Sequence, residues 1–160
     1  MLQTLTTVPL ALVVDIGGYT LDYIQIKKGR SDLVSCDSLE NGVIMLYNKI
    51  SSKVRAAQDI LISEEEIDTI LKGQPVQGLQ EVAKVVEQCA QEFVSDLLSA
   101  LRERQLELRT VPVIFVGGGS ILLKRHIEQS GKVGHPVFVE DIRANVKGYE
   151  TLYRIAQNSR

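Results

Sequence analysis

The chain has no tryptophan, and aromatic residues make up only 5 % of it. That is too few for the stacking platforms on which proteins hold single-stranded nucleic acid. It has only two cysteines, Cys36 and Cys89. Cys36 follows a strand-like run and Cys89 sits on an apolar helical face, so both read as reduced core thiols of a cytoplasmic protein. No apolar run approaches the roughly 20 residues of a membrane span. The opening MLQTLTT lacks the basic start and long apolar core of a signal peptide. Excess positive charge is missing too: the formal net charge is −2, which gives no field favouring nucleic acid. What remains is ordinary for a globular chain. It has 160 residues, 44 % hydrophobic and 24 % charged, enough for one domain with a real core.

The stretch VPLALVVDIGGYTLDYIQIKKGR, Val8 to Arg30, organises the rest. Val8 to Ile16 is apolar apart from Pro9 and the carboxylate of Asp15, which predicts a buried strand. Gly17 and Gly18 turn the chain, and Thr20 to Lys28 alternates as a second strand. Backbone N–H groups of such a loop can approach an anion. Asp15 at its mouth suits a hydrated Mg²⁺ ion, which keeps its waters and takes few carboxylates. An ordinary tight hairpin with a strand-end aspartate is the alternative.

Lys28-Gly29-Arg30 predicts a hairpin turn and Asp32 to Ser38 a third strand, completing an antiparallel meander. The period then changes. Val43, Leu46, Tyr47, Ile50 and Val54 recur at helical spacing, predicting a helix over Gly42 to Gln58 with Asn41 as N-cap. Ser63 to Glu66 has capping-box spacing and opens a short helix closed by Gly73. A long apolar stripe from Leu79 to Leu108 predicts a helix covering the sheet; a partner-helix role is the alternative.

Pro112 to Val116 predicts a central strand, ending in Gly117-Gly118-Gly119-Ser120. A helix over Ile121 to Gln129 follows, with Ser120 as N-cap. Glycines between a buried strand and a helix let a ligand come close, with the positive helix end behind it. They also serve a plain close strand–helix crossing. The pattern is neither a dinucleotide fingerprint nor a P-loop. Val137 to Val139 predicts a short fifth strand, and Ala144 to Ala156 a last helix with Gly148 inside it. The order βββα(α)αβαβα implies a mixed sheet with helices on both faces. If strands one and four are parallel neighbours, both glycine turns emerge at one sheet edge, where α/β folds place their ligands.

These motifs carry a resemblance. VVDIGGYTLD resembles the second phosphate loop of the actin and heat-shock chaperone ATPase superfamily. VIFVGGGSILL resembles its adenosine motif, and RANVKGYETL the A-N-x-x-G segment that opens the last helix of bacterial actins. CDSLENGVIMLYNKI looks like the strand-to-helix segment between them. The nearest pattern is that of ParM-type plasmid-segregation actins, over Leu10 to about Ala156.

The resemblance implies an actin/ribonuclease H-like α/β domain with a five-stranded mixed sheet. It implies ATP and Mg²⁺ as cofactors. Asp15 would organise the ion and water. Gly17, Gly18, Tyr19 and Thr20 would hold phosphates, although many members carry a smaller residue where Tyr19 stands. Gly117, Gly118, Gly119, Ser120, Leu122, Leu123 and Lys124 would surround the adenosine, and Glu40 and Asn41 would approach the ribose.

The family pairs two such domains around the nucleotide, and only MLQTLTT precedes this one, a leader or linker remnant. The expectation is therefore the C-terminal half, residues 1–160, of a filament-forming ATPase for plasmid or phage DNA segregation. Its partners would be the missing N-terminal domain, further copies of the parent and a DNA-bound adaptor, with no direct nucleic acid or membrane contact. The chain alone should hydrolyse little ATP. Half of a sugar-kinase-like or chaperone-like ATPase, or a non-catalytic interaction domain, are the other readings.

Overall fold

Apolar residues on both sides of one strand require cover on both faces, and Leu10–Ile16 (β1) occupies the centre of the sheet accordingly. The computed structural model describes residues 8–140. Leu21–Lys27 (β2) pairs antiparallel with β1, and Arg30–Leu39 (β3) pairs antiparallel with β2. On the other side Pro112–Val116 (β4) pairs parallel with β1, and His135–Phe138 (β5) parallel with β4. The sheet is therefore five-stranded and mixed, in the order β3-β2-β1-β4-β5.

Lys28 and Gly29 both have positive φ, 50° and 75°, the signature of the two-residue turn that suits the sheet's twist. The meander is less regular beyond it. Ile24 faces Cys36 but Gln25 faces Asp32, so residues 33–35 bulge out of β3. Asp32 holds the bulge by accepting from Lys27 Nζ at 2.7 Å, Ser35 Oγ at 2.9 Å and the Val34 N–H at 3.2 Å. Cys36 is exposed on this edge strand, which corrects its reading as a core thiol; Cys89 is buried as expected.

One face of the sheet presents Leu12, Val14, Ile16, Leu21, Tyr23, Val113 and Phe115 to the main core. The helices Val43–Gln58 (α1), Glu64–Leu71 (α2), Gln80–Glu103 (α3), Gly118–Leu122 (α4) and Lys124–Gln129 (α5) all contribute buried residues to it. The other face gathers Ala11, Ile26, Ile114 and Val116, with Val8, Val13 and Val139 against them. The expected leader, residues 1–7, and the last helix with its A-N-x-x-G segment lie outside the described residues.

Three helix ends differ from expectation. Gly42, not Asn41, is the N-cap of α1, and no side chain caps it. The long helix stops at Glu103 because Gln105 takes a left-handed φ of 61°. Leu106 and Leu108 nevertheless return to the core, which is why the apolar stripe read on past the break. Ser120 caps nothing: helix begins at Gly118, and Ser120 Oγ donates to the Val116 carbonyl. The capping box is present as read, with Ser63 Oγ accepting from the Glu66 N–H at 3.2 Å and Glu66 Oε2 from the Ser63 N–H at 2.8 Å.

Candidate functional site

Strands β1 and β4 run parallel as direct neighbours, with Asp15 beside Val116. Both glycine turns therefore leave the sheet at the same edge. The first turn closes by a hydrogen bond from the Gly17 N–H to the Thr20 carbonyl at 2.9 Å. Its three other carbonyls face the start of α1. Gly17 O accepts from the Val43 N–H at 3.1 Å, Gly18 O from Ile44 at 2.9 Å and Tyr19 O from Gly42 at 3.0 Å. Among the described residues no backbone carbonyl accepts from the N–H groups of Gly18 and Tyr19. The loop thus turns its carbonyls toward α1 and leaves two adjacent N–H donors outside the backbone ladder. Such a nest of amides suits an anion.

Asp15 stands directly across from Asp22 in the β1–β2 register. Directly opposed residues share a face, and like charges there repel. Thr20 Oγ1 donates to Asp22 Oδ2 at 2.8 Å and holds one of the pair in place. Two carboxylates and a hydroxyl suit a cation that keeps most of its water shell. No group of three or more His, Cys, Asp or Glu side chains that could ligate a metal directly occurs among the described residues.

The second turn touches the first. A Cβ on Gly117 would lie 2.1 Å from Asp15 Oδ1, and its φ is 88°. A Cβ on Gly119 would lie 2.7 Å from the Ile16 carbonyl, and as close to a Val43 methyl. Both glycines are demanded by packing, as the strand–helix crossing reading required. Gly18 and Gly118 are different. Among the described residues a Cβ at either would meet nothing within 4 Å, and neither has a positive φ. Neither crowding by the described residues nor a positive φ explains a glycine at these two places.

The remaining expected residues reach the same edge but do not all face outward. Glu40 is exposed and Asn41 half-buried, just ahead of Gly42. Tyr19 is 77 % exposed at the loop tip. Ser120, Leu122 and Leu123 are buried in the core. Lys124 pairs with Glu140 Oε1 at 3.0 Å and lies 5.5 Å over the Phe138 ring, which itself stacks on Phe115. The Glu140 carboxylate raises the Lys124 ammonium above its ordinary range.

Sequence reading missed Asp22 and Gly42. The first was within reach: counting outward from the Gly17–Thr20 turn pairs Ile16 with Leu21, then Asp15 with Asp22. Gly42 gave no local signal, because its neighbours come from a loop more than 20 residues away.

Known proteins share this fold. The family model described as "Archaeal actin homologue MreB-like, C-terminal" matches residues 13–129. A search of curated proteins finds no match. Among solved structures, the apo pSK41 ParM protein is 18 % identical with a TM-score of 0.68, over 98 % of this chain and 44 % of that one. The Alp12 filament structure is 19 % identical with a TM-score of 0.65, over 99 % and 51 %. Bacillus thuringiensis ParM with ATP is 12 % identical with a TM-score of 0.60, over 86 % and 43 %. The chain spans about half the length of each of these structures.

Proposed function

The chain belongs to the C-terminal domain family of MreB-like archaeal actin homologues, and we propose that it is the nucleotide-binding half of a filament-forming, actin-like ATPase. The ligand is ATP with Mg²⁺. The observation that carries this reading is the pair of N–H groups on Gly18 and Tyr19 that no backbone carbonyl of the described residues accepts from, on a loop whose own carbonyls are all engaged. Oriented backbone donors bind phosphate oxygens strongly because the acceptor is charged. The open spaces at Gly18 and Gly118 support it, since a ligand's bulk there explains glycines that packing does not.

In this reading Gly17, Gly18, Tyr19 and Thr20 cradle the phosphates. The backbone of Gly117 to Gly119 lies along the adenosine, with Ser120 and Leu122 fixing that loop from the core and Lys124 at its rim. Glu40 and Asn41 reach toward the ribose. Asp15, with Asp22 opposite, would hold the water shell of Mg²⁺, and the ion would supply charge neutralisation as the terminal phosphate leaves. Phosphoryl transfer depends on such positioning and charge stabilisation, so a second half must complete the cradle.

Bacillus thuringiensis ParM was solved with ATP, and Alp12 as a filament. We extend both properties, and a role in segregating plasmid or phage DNA through a DNA-bound adaptor, to the protein this domain serves. The net charge of −2 favours an adaptor over direct contact with DNA.

Gly18→Val tests the reading. The new side chain meets none of the described residues at its Cβ, so folding and melting should be unchanged. ATP affinity of the complete two-domain protein should fall about tenfold or more, as for lost hydrogen bonds to a charged group. Unchanged ATP binding by a folded Gly18→Val protein would overturn the assignment and favour a non-catalytic interaction domain.

A further inference from the structure

Helix α1 does not spend its first N–H groups on water or on a side-chain cap. Gly42, Val43 and Ile44 donate in succession to Tyr19, Gly17 and Gly18. The N-cap has no side chain because there is no room for one: a Cβ on Gly42 would lie 2.3 Å from both the Gly18 oxygen and the Tyr19 carbonyl carbon. A loop of this kind can rotate its peptide planes. With its three carbonyls fixed, the N–H directions of the same peptides are fixed as well, because each peptide unit is planar.

We propose that Gly42 is the positioning residue of the anion site: it lets α1 bolt the loop by three backbone hydrogen bonds, and the bolt aims the Gly18 and Tyr19 N–H groups at the phosphates. This rests on the phosphate-site reading and adds the device that makes the site rigid before a ligand arrives. Preorganised donors bind better than mobile ones because ordering them is not charged against the ligand.

Two variants separate the bolt from general stability. Gly42→Ala pushes the helix off the loop by sterics. Val43→Pro removes one of the three donors. Val43 is the first helical residue, where proline is well accommodated, and Gly42 at φ −78°, ψ 167° already has the backbone that precedes a proline. Val43→Pro therefore decides the matter if Gly42→Ala does not fold.

The measurement is a titration of the ¹⁵N-labelled chain with inorganic pyrophosphate and, separately, with adenosine. Wild type should show pyrophosphate-dependent shifts at the Gly18 and Tyr19 amides. Both variants should lose about tenfold or more in pyrophosphate affinity, while adenosine shifts at Gly118 stay as in wild type. A fold defect would weaken both ligands equally and would count against the proposal. Variants that bind pyrophosphate like wild type overturn the bolt and leave the phosphate site standing. A wild type that does not respond to pyrophosphate overturns both.

Discussion

Asp15 stands at the end of an apolar strand and directly opposite Asp22, where two like charges repel. Asp15→Asn keeps the shape and removes the charge. In the complete protein, ATP binding should persist through the backbone loops, and single-turnover hydrolysis should fall by about 10²-fold or more. Equal loss of both would make Asp15 a binding or folding residue, and no loss of either would remove it from the site. Gly119 gives the contrasting case. A methyl there meets Ile16 and Val43 at 2.7 Å, so Gly119→Ala should destabilise the fold by about 1–3 kcal/mol. Urea unfolding checks this, with Gly118→Ala as the control that should unfold like wild type.

At the scale of elements, α1 and α3 are tied across their solvent side by Glu92, which accepts from Lys49 at 2.8 Å and Lys53 at 3.2 Å. The hydrogen bond from Lys49, then those from Lys53 and Gln88, pull its carboxyl down from 4.5 to about 2. A carboxyl depressed in the fold adds stability that is complete above its unfolded value. The contribution is lost as pH falls from about 4.5 through about 2. Glu92→Gln should therefore melt more like wild type at pH 2 than at pH 6, and 1 M salt should shrink the difference at pH 6. Tyr47 ties α1 to α2 differently. Its hydroxyl donates to Asp68, and burial followed by that carboxylate raises it well above the usual phenol range.

The elements themselves were legible because each is written in its own residues: alternation for β2, the Ser63–Glu66 box for α2, an apolar run with glycines behind it for β4. The shared edge of the two glycine turns was legible only on the condition that β1 and β4 are parallel neighbours, which the sheet meets. What was not legible depends on distant partners. The bulge of β3, the N-cap at Gly42 and the inward turn of Ser120 are decided by contacts from β2, the first loop and β4. Leu106 and Leu108 misled because core residues look alike whether or not helix continues.

For the whole molecule, the chain's span of about half its structural relatives sets the expectation for activity. The isolated chain should release phosphate from ATP at near-background rate. Steady-state phosphate release measures this. Robust turnover abolished by Asp15→Ala would show that one half suffices.

The bulge at residues 33–35 interrupts what would otherwise be a ten-residue strand along the outer edge of the sheet. A long, even edge is a template on which a neighbour's strand can add itself without limit. Here the ladder is broken midway, and Asp32 and Lys27 place charge at the break. A filament-forming parent of the proposed kind would gain from closing off the cheaper, disordered route between its copies. Deleting residues 33–35 should leave the domain folded and make it prone to precipitate as β-rich aggregate, visible as thioflavin-positive turbidity that wild type lacks at the same concentration.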